Sequence, residues 1–144
     1  MTNLKKIFIS SDHAGFKLKE TIKSYLSNKK LSFTDMGPYN DSRVDYPDFA
    51  HKVAKRVKLN KNNVGILVCG SGMGMNIAAN KHKNIRAAQC FNLKSTKLSR
   101  LHNDANIITL GSRLITKKNA LKFVSVFLNT KFDGGRHLRR VKKI

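Results

Sequence analysis

One stretch constrains this chain more than any other. Val64-Gly65-Ile66-Leu67-Val68 runs apolar without a break and ends in Cys69-Gly70-Ser71-Gly72-Met73-Gly74, after which Ile77, Ala78 and Ala79 take up helical spacing. A strand with no polar alternation is buried on both faces, as in a parallel sheet covered by helices on two sides. A glycine turn leading from such a strand into a helix is where folds of this kind accept a ligand.

The rest of the chain repeats the pattern. Lys6–Ser10 reads as a first strand, and Leu18, Ile22 and Leu26, with Tyr25 beside them, lie at helical spacing behind it. Leu31–Met36 is a weaker second strand, stopped by Gly37-Pro38. Pro47–Leu59 reads as a helix, with Phe49, Ala50, Val53, Ala54 and Val57 on one face and Lys52, Lys55, Arg56 and Lys58 on the other. Pro47 suits its first turn. Arg86–Cys90 is a short fourth strand, Leu93–Leu101 a helix, and Ile107–Leu110 a fifth strand closed by Gly111. Ala120, Leu121, Val124, Phe127 and Leu128 mark a last amphipathic helix, and from about Gly134 a basic tail follows with no core of its own. The 144 residues fit one domain over 1–144. The alternation predicts an α/β fold: a three-layer αβα, doubly wound, five-stranded parallel sheet, Rossmann-like.

The charge is extreme, with 29 Lys and Arg against 8 Asp and Glu and a formal net charge of +21. That raises nucleic-acid binding as a function. The lysines are scattered, however, and no block of five or six basic residues appears. A basic field that draws in a phosphorylated small molecule fits equally well. No apolar run approaches the ~20 residues that span a bilayer, and Ile7-Phe8-Ile9 is too short for a signal-peptide core, so no membrane association and a cytoplasmic location are expected. Cys69 and Cys90 form no CxxC pair and have no zinc-ligand spacing, so free thiols and no metal are expected.

In a doubly wound sheet the ligand lies beyond the carboxyl ends of the strands. That rule selects Ser11-Asp12-His13-Ala14-Gly15, Cys69 to Gly74, and Gly111-Ser112-Arg113. The first segment lacks the G-x-G-x-x-G of a dinucleotide site, so no such cofactor is expected. Asp12 beside His13 suits proton transfer or oxyanion contact; Asp12 suits a cap on the next helix equally well. Cys69 to Gly74 offers backbone N–H groups to an anion at a helix start. It makes Cys69 either a base or nucleophile, or an inert thiol beside a phosphate-binding turn. His102, at a helix end, can act as an acid or base near neutral pH or simply meet the helix dipole. Arg136 and Arg140, one helical turn apart, can share a phosphate or form a solvated tail. His51 and His82 read as ordinary surface residues, and Cys90 as a small core residue.

Taken in order, seven segments resemble ribose-5-phosphate isomerase type B and its relatives, the two subunit types of galactose-6-phosphate isomerase. They are Ser11–Phe16, Val44–Ala50, Cys69–Gly74 with Ala78–Lys81, Ile85–Ala88, His102–Asn106, Leu110–Arg113 and Gly134–His137. The resemblance implies an aldose–ketose isomerase of the pentose phosphate pathway, working on a sugar phosphate with no metal and no organic cofactor. It implies a homodimer or homotetramer with active sites shared between subunits. By resemblance, Cys69 moves a proton from C2 to C1, while Ser71 and the amides of Gly70, Gly72 and Gly74 hold a cis-enediolate. Ser71 stands where many relatives carry Thr. His102 and Asp12 match residues of ring opening, and Tyr46 and Asn103 line the sugar. His13, Arg136 and Arg140 match the phosphate clamp, with Arg113 a further candidate. Some relatives use a downstream glutamate as base; the only glutamate here is Glu20, which leaves Cys69. Galactose-6-phosphate isomerase splits these residues between two chains, whereas this chain carries them all, which favours the pentose enzyme over a galactose- or allose-6-phosphate isomerase. A non-catalytic nucleic-acid-binding protein is the remote alternative.

Overall fold

The computed structural model describes residues 5–144. Its strands are β1 (Lys6–Ser11), β2 (Phe33–Asp35), β3 (Asn63–Cys69), β4 (Ala87–Gln89) and β5 (Ile107–Gly111). Its helices are α1 (Phe16–Asn28), α2 (Tyr46–Val57), α3 (Met73–Ala79), α4 (Leu93–Asn103), α5 (Lys117–Asn129) and α6 (Arg136–Val141). The sheet is parallel throughout, in the order β2-β1-β3-β5-β4. The three-layer expectation holds.

β3 lies at the centre with every residue buried, the solvent-free setting that its unbroken apolar run requires. Side chains alternate between the two faces of each strand. Ile7, Ile9, Ile66, Val68, Ile108 and Leu110 pack against Leu18, Ile22, Leu26, Phe123 and Phe127 of α1 and α5. Phe8, Leu67, Cys69 and Ile107 face the other way, onto Ala50, Val53, Met75 and Ala79 of α2 and α3. Chain order reverses between β1 and β3, which makes their carboxyl ends the switch point. Register sets Ser11 beside Val68, and Cys69 beside Gly111, so the candidate segments meet at one edge of the sheet.

Three expectations need correction. The edge strands β2 and β4 have only three residues each, shorter than the alternation suggested, because each pairs with a single neighbour. Cys90 lies just past β4 rather than in it, although it is buried as expected. The tail is not a free basic segment. It folds as α6 and borrows a surface from α4: His137 is buried and its ring stacks on His102, while the Asp133 N–H donates to the Leu101 carbonyl at 3.1 Å. A six-residue helix is too short to be stable alone, so this docking holds it.

Candidate active site

The site starts where β1 ends. The Asp12 N–H donates to the Val68 carbonyl at 3.1 Å, and its carboxylate accepts from the Gly15 N–H at 2.9 Å. Asp12 thus closes the turn into α1 while remaining at the sheet edge. His13 accepts the Val44 N–H at Nδ1 (3.2 Å), so Nε2 is its outward polar atom.

At the end of β3, Cys69 is buried and its Sγ accepts the Gly72 N–H at 3.1 Å. The left-handed backbone of Gly72 (φ 78°) turns that amide back toward the sulfur, a conformation open chiefly to glycine. The Met73 N–H donates to Ser71 Oγ at 3.2 Å, and the Gln89 side-chain amide holds the Ser71 carbonyl at 2.7 Å. β5 anchors the other side: Ser112 N donates to the Cys69 carbonyl (2.8 Å) and Arg113 N to the Gly70 carbonyl (3.0 Å). The Arg113 guanidinium lies over Gly70, where an added Cβ would sit 2.9 Å from Nη1. The Tyr46 ring lies over Gly74, where a Cβ would come within 2.6 Å of it. Glycine at these two positions lets the Arg113 guanidinium and the Tyr46 ring lie directly over the turn.

These residues enclose a depression of about 300 Å³ lined by Asp12, His13, Tyr46, Cys69, Ser71 and Arg113, with Gly70 and Gly74 in its wall. A second depression, about 590 Å³, continues from Asp12 and His13 along residues 43–48. It brings in Arg43, which the sequence reading passed over; that loop has no periodicity, and a lone arginine in it carries no signal.

Lys19 holds the turn at residues 35–38, which precedes this loop in the chain. Its side chain is fully buried, and Nζ donates to Asp35 Oδ1 (2.8 Å), Asp35 Oδ2 (3.0 Å) and the Pro38 carbonyl (2.6 Å). Asp35 also accepts the Gly37 N–H at 2.9 Å, and Ser11 N donates to the Gly37 carbonyl at 3.1 Å. Burial works against charge on Asp35, but the hydrogen bonds from Lys19 and Lys23 outweigh it and hold the carboxyl below its usual range.

The other expected site residues lie elsewhere. His102 and Asn103 end α4, which runs back toward the amino ends of the strands. There the Asn103 carbonyl accepts from Arg86 Nε at 3.0 Å, just ahead of β4. Gly65, which pairs with Ile107 at that edge, is four residues from Cys69 along β3, about 13 Å at ~3.3 Å per residue. One copy of the chain therefore brings Asp12, His13, Tyr46, Cys69, Ser71 and Arg113 together but leaves His102, Asn103, Arg136 and Arg140 at the opposite edge. The His102 and His137 rings are 4.2 Å apart and within 13° of parallel. Burial, His102, Arg136 and Arg140 push the His137 imidazole down, against an opposing pull from Asp133. Ligand atoms of His102, Asp133 and His137 lie within 4.8 Å of one another. Nearly parallel rings point their lone pairs side by side, however, and would have to turn to share one ion. His51 and His82 are not independent surface residues: Nδ1 of one meets Nε2 of the other at 2.7 Å. Burial, His51 and the nearby Lys58 and Lys55 push His82 down.

A thiol, an acid–imidazole pair, a glycine turn and an arginine lie together at the switch point of a doubly wound sheet, a class of fold that takes ligands at the carboxyl edge of its strands. Residues 7–144 match the sequence profile of the Ribose/Galactose Isomerase family, and the chain belongs to that family. It is similar to ribose-5-phosphate isomerase B of Escherichia coli, 41% identical over 98% of this chain and 95% of the relative. A crystal structure of a ribose 5-phosphate isomerase from Thermotoga maritima superposes with a TM-score of 0.93 at 50% identity, covering 96% of both chains. The enzyme from Mycoplasma genitalium with bound ribulose-5-phosphate superposes at 0.92 and 46% identity, over 96% of this chain and 92% of that one. The chain is accordingly a sugar-phosphate isomerase, an intramolecular oxidoreductase. Among the described residues no helix is long and apolar enough to cross a membrane.

Proposed function

We propose that this enzyme interconverts ribose 5-phosphate and ribulose 5-phosphate through a cis-enediolate, with Cys69 as the base, in the cytoplasmic pentose phosphate pathway. One observation carries the reading: Cys69, with the Gly72 N–H aimed at its sulfur, shares a single depression with Asp12, His13 and Arg113. Likeness to the Mycoplasma genitalium enzyme with bound ribulose-5-phosphate supports the choice of substrate.

The chemistry follows from the arrangement. Asp12 and His102 open the sugar ring, Asp12 from the carboxyl edge and His102 from a second copy. The Cys69 thiolate takes the proton from C2 of the open aldose. The electrons move to the carbonyl oxygen on C1, and Ser71 with the surrounding amides receives the negative charge. Cys69 then returns its proton to C1, while the proton on the C2 oxygen passes to the negative C1 oxygen, leaving a ketone at C2 and a hydroxyl at C1. Atoms and electrons balance with no external reductant, metal or organic cofactor. Tyr46 and Asn103 of the second copy line the sugar. His13 and Arg113 take the phosphate with Arg136 and Arg140 of the second copy.

Two features support a homodimer or homotetramer with shared sites. The proposed residues divide between opposite edges of one chain, so neither half suffices. Exposed apolar side chains, Met73 and Ile77 on α3 with Phe91 and Leu93 beyond β4, flank the Cys69 turn and offer a surface for a second copy.

An isomerase assay on ribose 5-phosphate with chelator present tests the proposal; activity regained only on adding zinc or magnesium would contradict it. Arg136 and Arg140 are exposed on α6, as a clamp reaching another subunit requires. A charged hydrogen bond contributes about 1.5–3 kcal/mol, so Arg140→Ala is expected to raise KM roughly 10- to 150-fold. Some loss of kcat should accompany it, because phosphate binding orients the sugar. Unchanged kinetics at physiological salt would remove Arg140 from the clamp.

A further inference from the structure

The amino edge of the sheet carries a depression of about 510 Å³, larger than the one around Cys69 and on the opposite side of the molecule. Five cationic side chains line it: Lys5 ahead of β1, Lys58 and Lys61 between α2 and β3, Arg86 ahead of β4, and Arg100 on α4. Its wall holds a single carboxylate, Asp104. Both arginines already engage it, Arg100 Nη1 at 2.9 Å and Arg86 Nη2 at 3.4 Å. Lys58 and Lys61 have no carboxylate within ion-pair distance among the described residues. Burial, and after it the Arg100 guanidinium, push the Lys5 ammonium below its usual range, with Asp104 opposing.

We infer that this depression binds a small polyanion with adjacent phosphoryl groups, such as inorganic tripolyphosphate or the phosphate chain of a nucleoside polyphosphate. The cations come from four separate segments and line one depression, where Lys5 Nζ also donates to the Leu128 carbonyl at 2.7 Å. A single phosphate would meet only one side, whereas a chain of phosphoryl groups can meet several at once. Five asparagines with Val57, Leu59 and Val64 make up the remaining wall, and no aromatic ring is present to stack a base. Recognition therefore rests on charge and hydrogen bonding. The site is separate from the Cys69 depression and does not depend on the isomerase reading.

Calorimetric titration of the full chain at physiological salt, without magnesium, tests this. Three ligands are compared: tripolyphosphate, ATP and adenosine. Tripolyphosphate and ATP should bind with similar affinity and adenosine not at all. Lys58→Gln/Lys61→Gln should weaken tripolyphosphate about tenfold or more, the loss of one charged hydrogen bond or more. Lys117→Gln/Lys118→Gln, an equal change in net charge on exposed positions of α5, should shift it less than about twofold, as should Arg140→Ala. Equal weakening in both lysine pairs would reduce the effect to the general charge of the protein. Loss of binding in Arg140→Ala alone would place the anion at the proposed clamp. ATP binding without tripolyphosphate binding, or no binding of either, would also overturn the inference.

Discussion

Cys69→Ala is expected to lower kcat on ribose 5-phosphate by ~10²- to 10⁴-fold, the usual contribution of a positioned base, while the fold and KM change little. The sulfur sits at the end of the central strand, and its one hydrogen bond comes from the Gly72 amide. An amide donor aimed at sulfur stabilises negative charge there, as a proton-abstracting thiolate needs. Removing the sulfur removes one small buried atom from the cluster around Met75, Ala78 and Ile107. The loss in stability should therefore stay near 1 kcal/mol or below, and a thermal melt separates this from the catalytic loss. The inert-thiol alternative forecasts near-parental turnover. Solvent deuterium incorporation at the transferred position gives a second readout, because a shared base exchanges part of the proton it carries; Cys69→Ala should lose exchange and turnover together.

Lys19→Met is expected to produce the largest loss of stability among single changes near the site. Lys19 is a fully buried ammonium whose main partner, Asp35, is largely buried as well. Breaking such a pair from one side costs about 3–5 kcal/mol. Lys23, 2.8 Å from the other Asp35 oxygen, remains as a partner and keeps the loss near about 3 kcal/mol. At roughly 3 °C per kcal/mol for a chain of this size, Tm should fall by about 10 °C. The Pro38 carbonyl loses its donor too, so residues 43–48 should loosen over Asp12 and His13 and KM should rise. A double variant, Lys19→Met/Asp35→Asn, should lose less than the sum of the singles, since the two changes remove one interaction. The pair also gives an acid signature. Asp35 is held below its unfolded carboxyl value, so its stabilisation is complete above that value, near pH 4, and is lost as pH falls through the lowered folded value. The parent should lose stability over that acid window, and Asp35→Asn should show a flatter profile there. An unchanged Tm in Lys19→Met would mean that water or repacking replaces the ammonium.

The sequence announces the central layer of this fold plainly. A doubly buried strand has to be apolar at every position, so β3 shows itself in Val64–Val68; α2 does so because it has one apolar and one basic face. The edge strands are less legible, since half-exposed residues such as those of β2 carry little pattern. The carboxyl-edge half of the candidate site follows from the rule that ligands bind beyond strand ends, which points to Asp12, His13, Cys69, Ser71 and Arg113 from the sequence. What composition and spacing do not encode is contact between distant segments. Nothing around Lys19 marks it as buried; its helix pattern makes it one more lysine among many, and only the path of the Asp35–Pro38 turn takes it inside. His137 is similar, because its burial depends on His102, 35 positions earlier. Arg43 is invisible for the same reason. The basic depression at the amino edge draws on four segments, and along the chain those lysines are indistinguishable from the general excess.

A mixing experiment bears most directly on the shared cysteine site. Cys69→Ala and His102→Asn, each nearly inactive on ribose 5-phosphate, are combined in equal amounts, dissociated, reassociated and assayed with chelator present. If each site takes Cys69 from one copy and His102 from another, half of the reassociated dimers are mixed, and each of these carries one site with both residues intact. Activity should then rise to about a quarter of the parental value, the statistical share of intact sites in a two-fold symmetric pair. If one chain supplied the whole site, every site in every dimer would carry a lesion. Activity would then stay at the average of the two inactive variants, and that result would contradict the account.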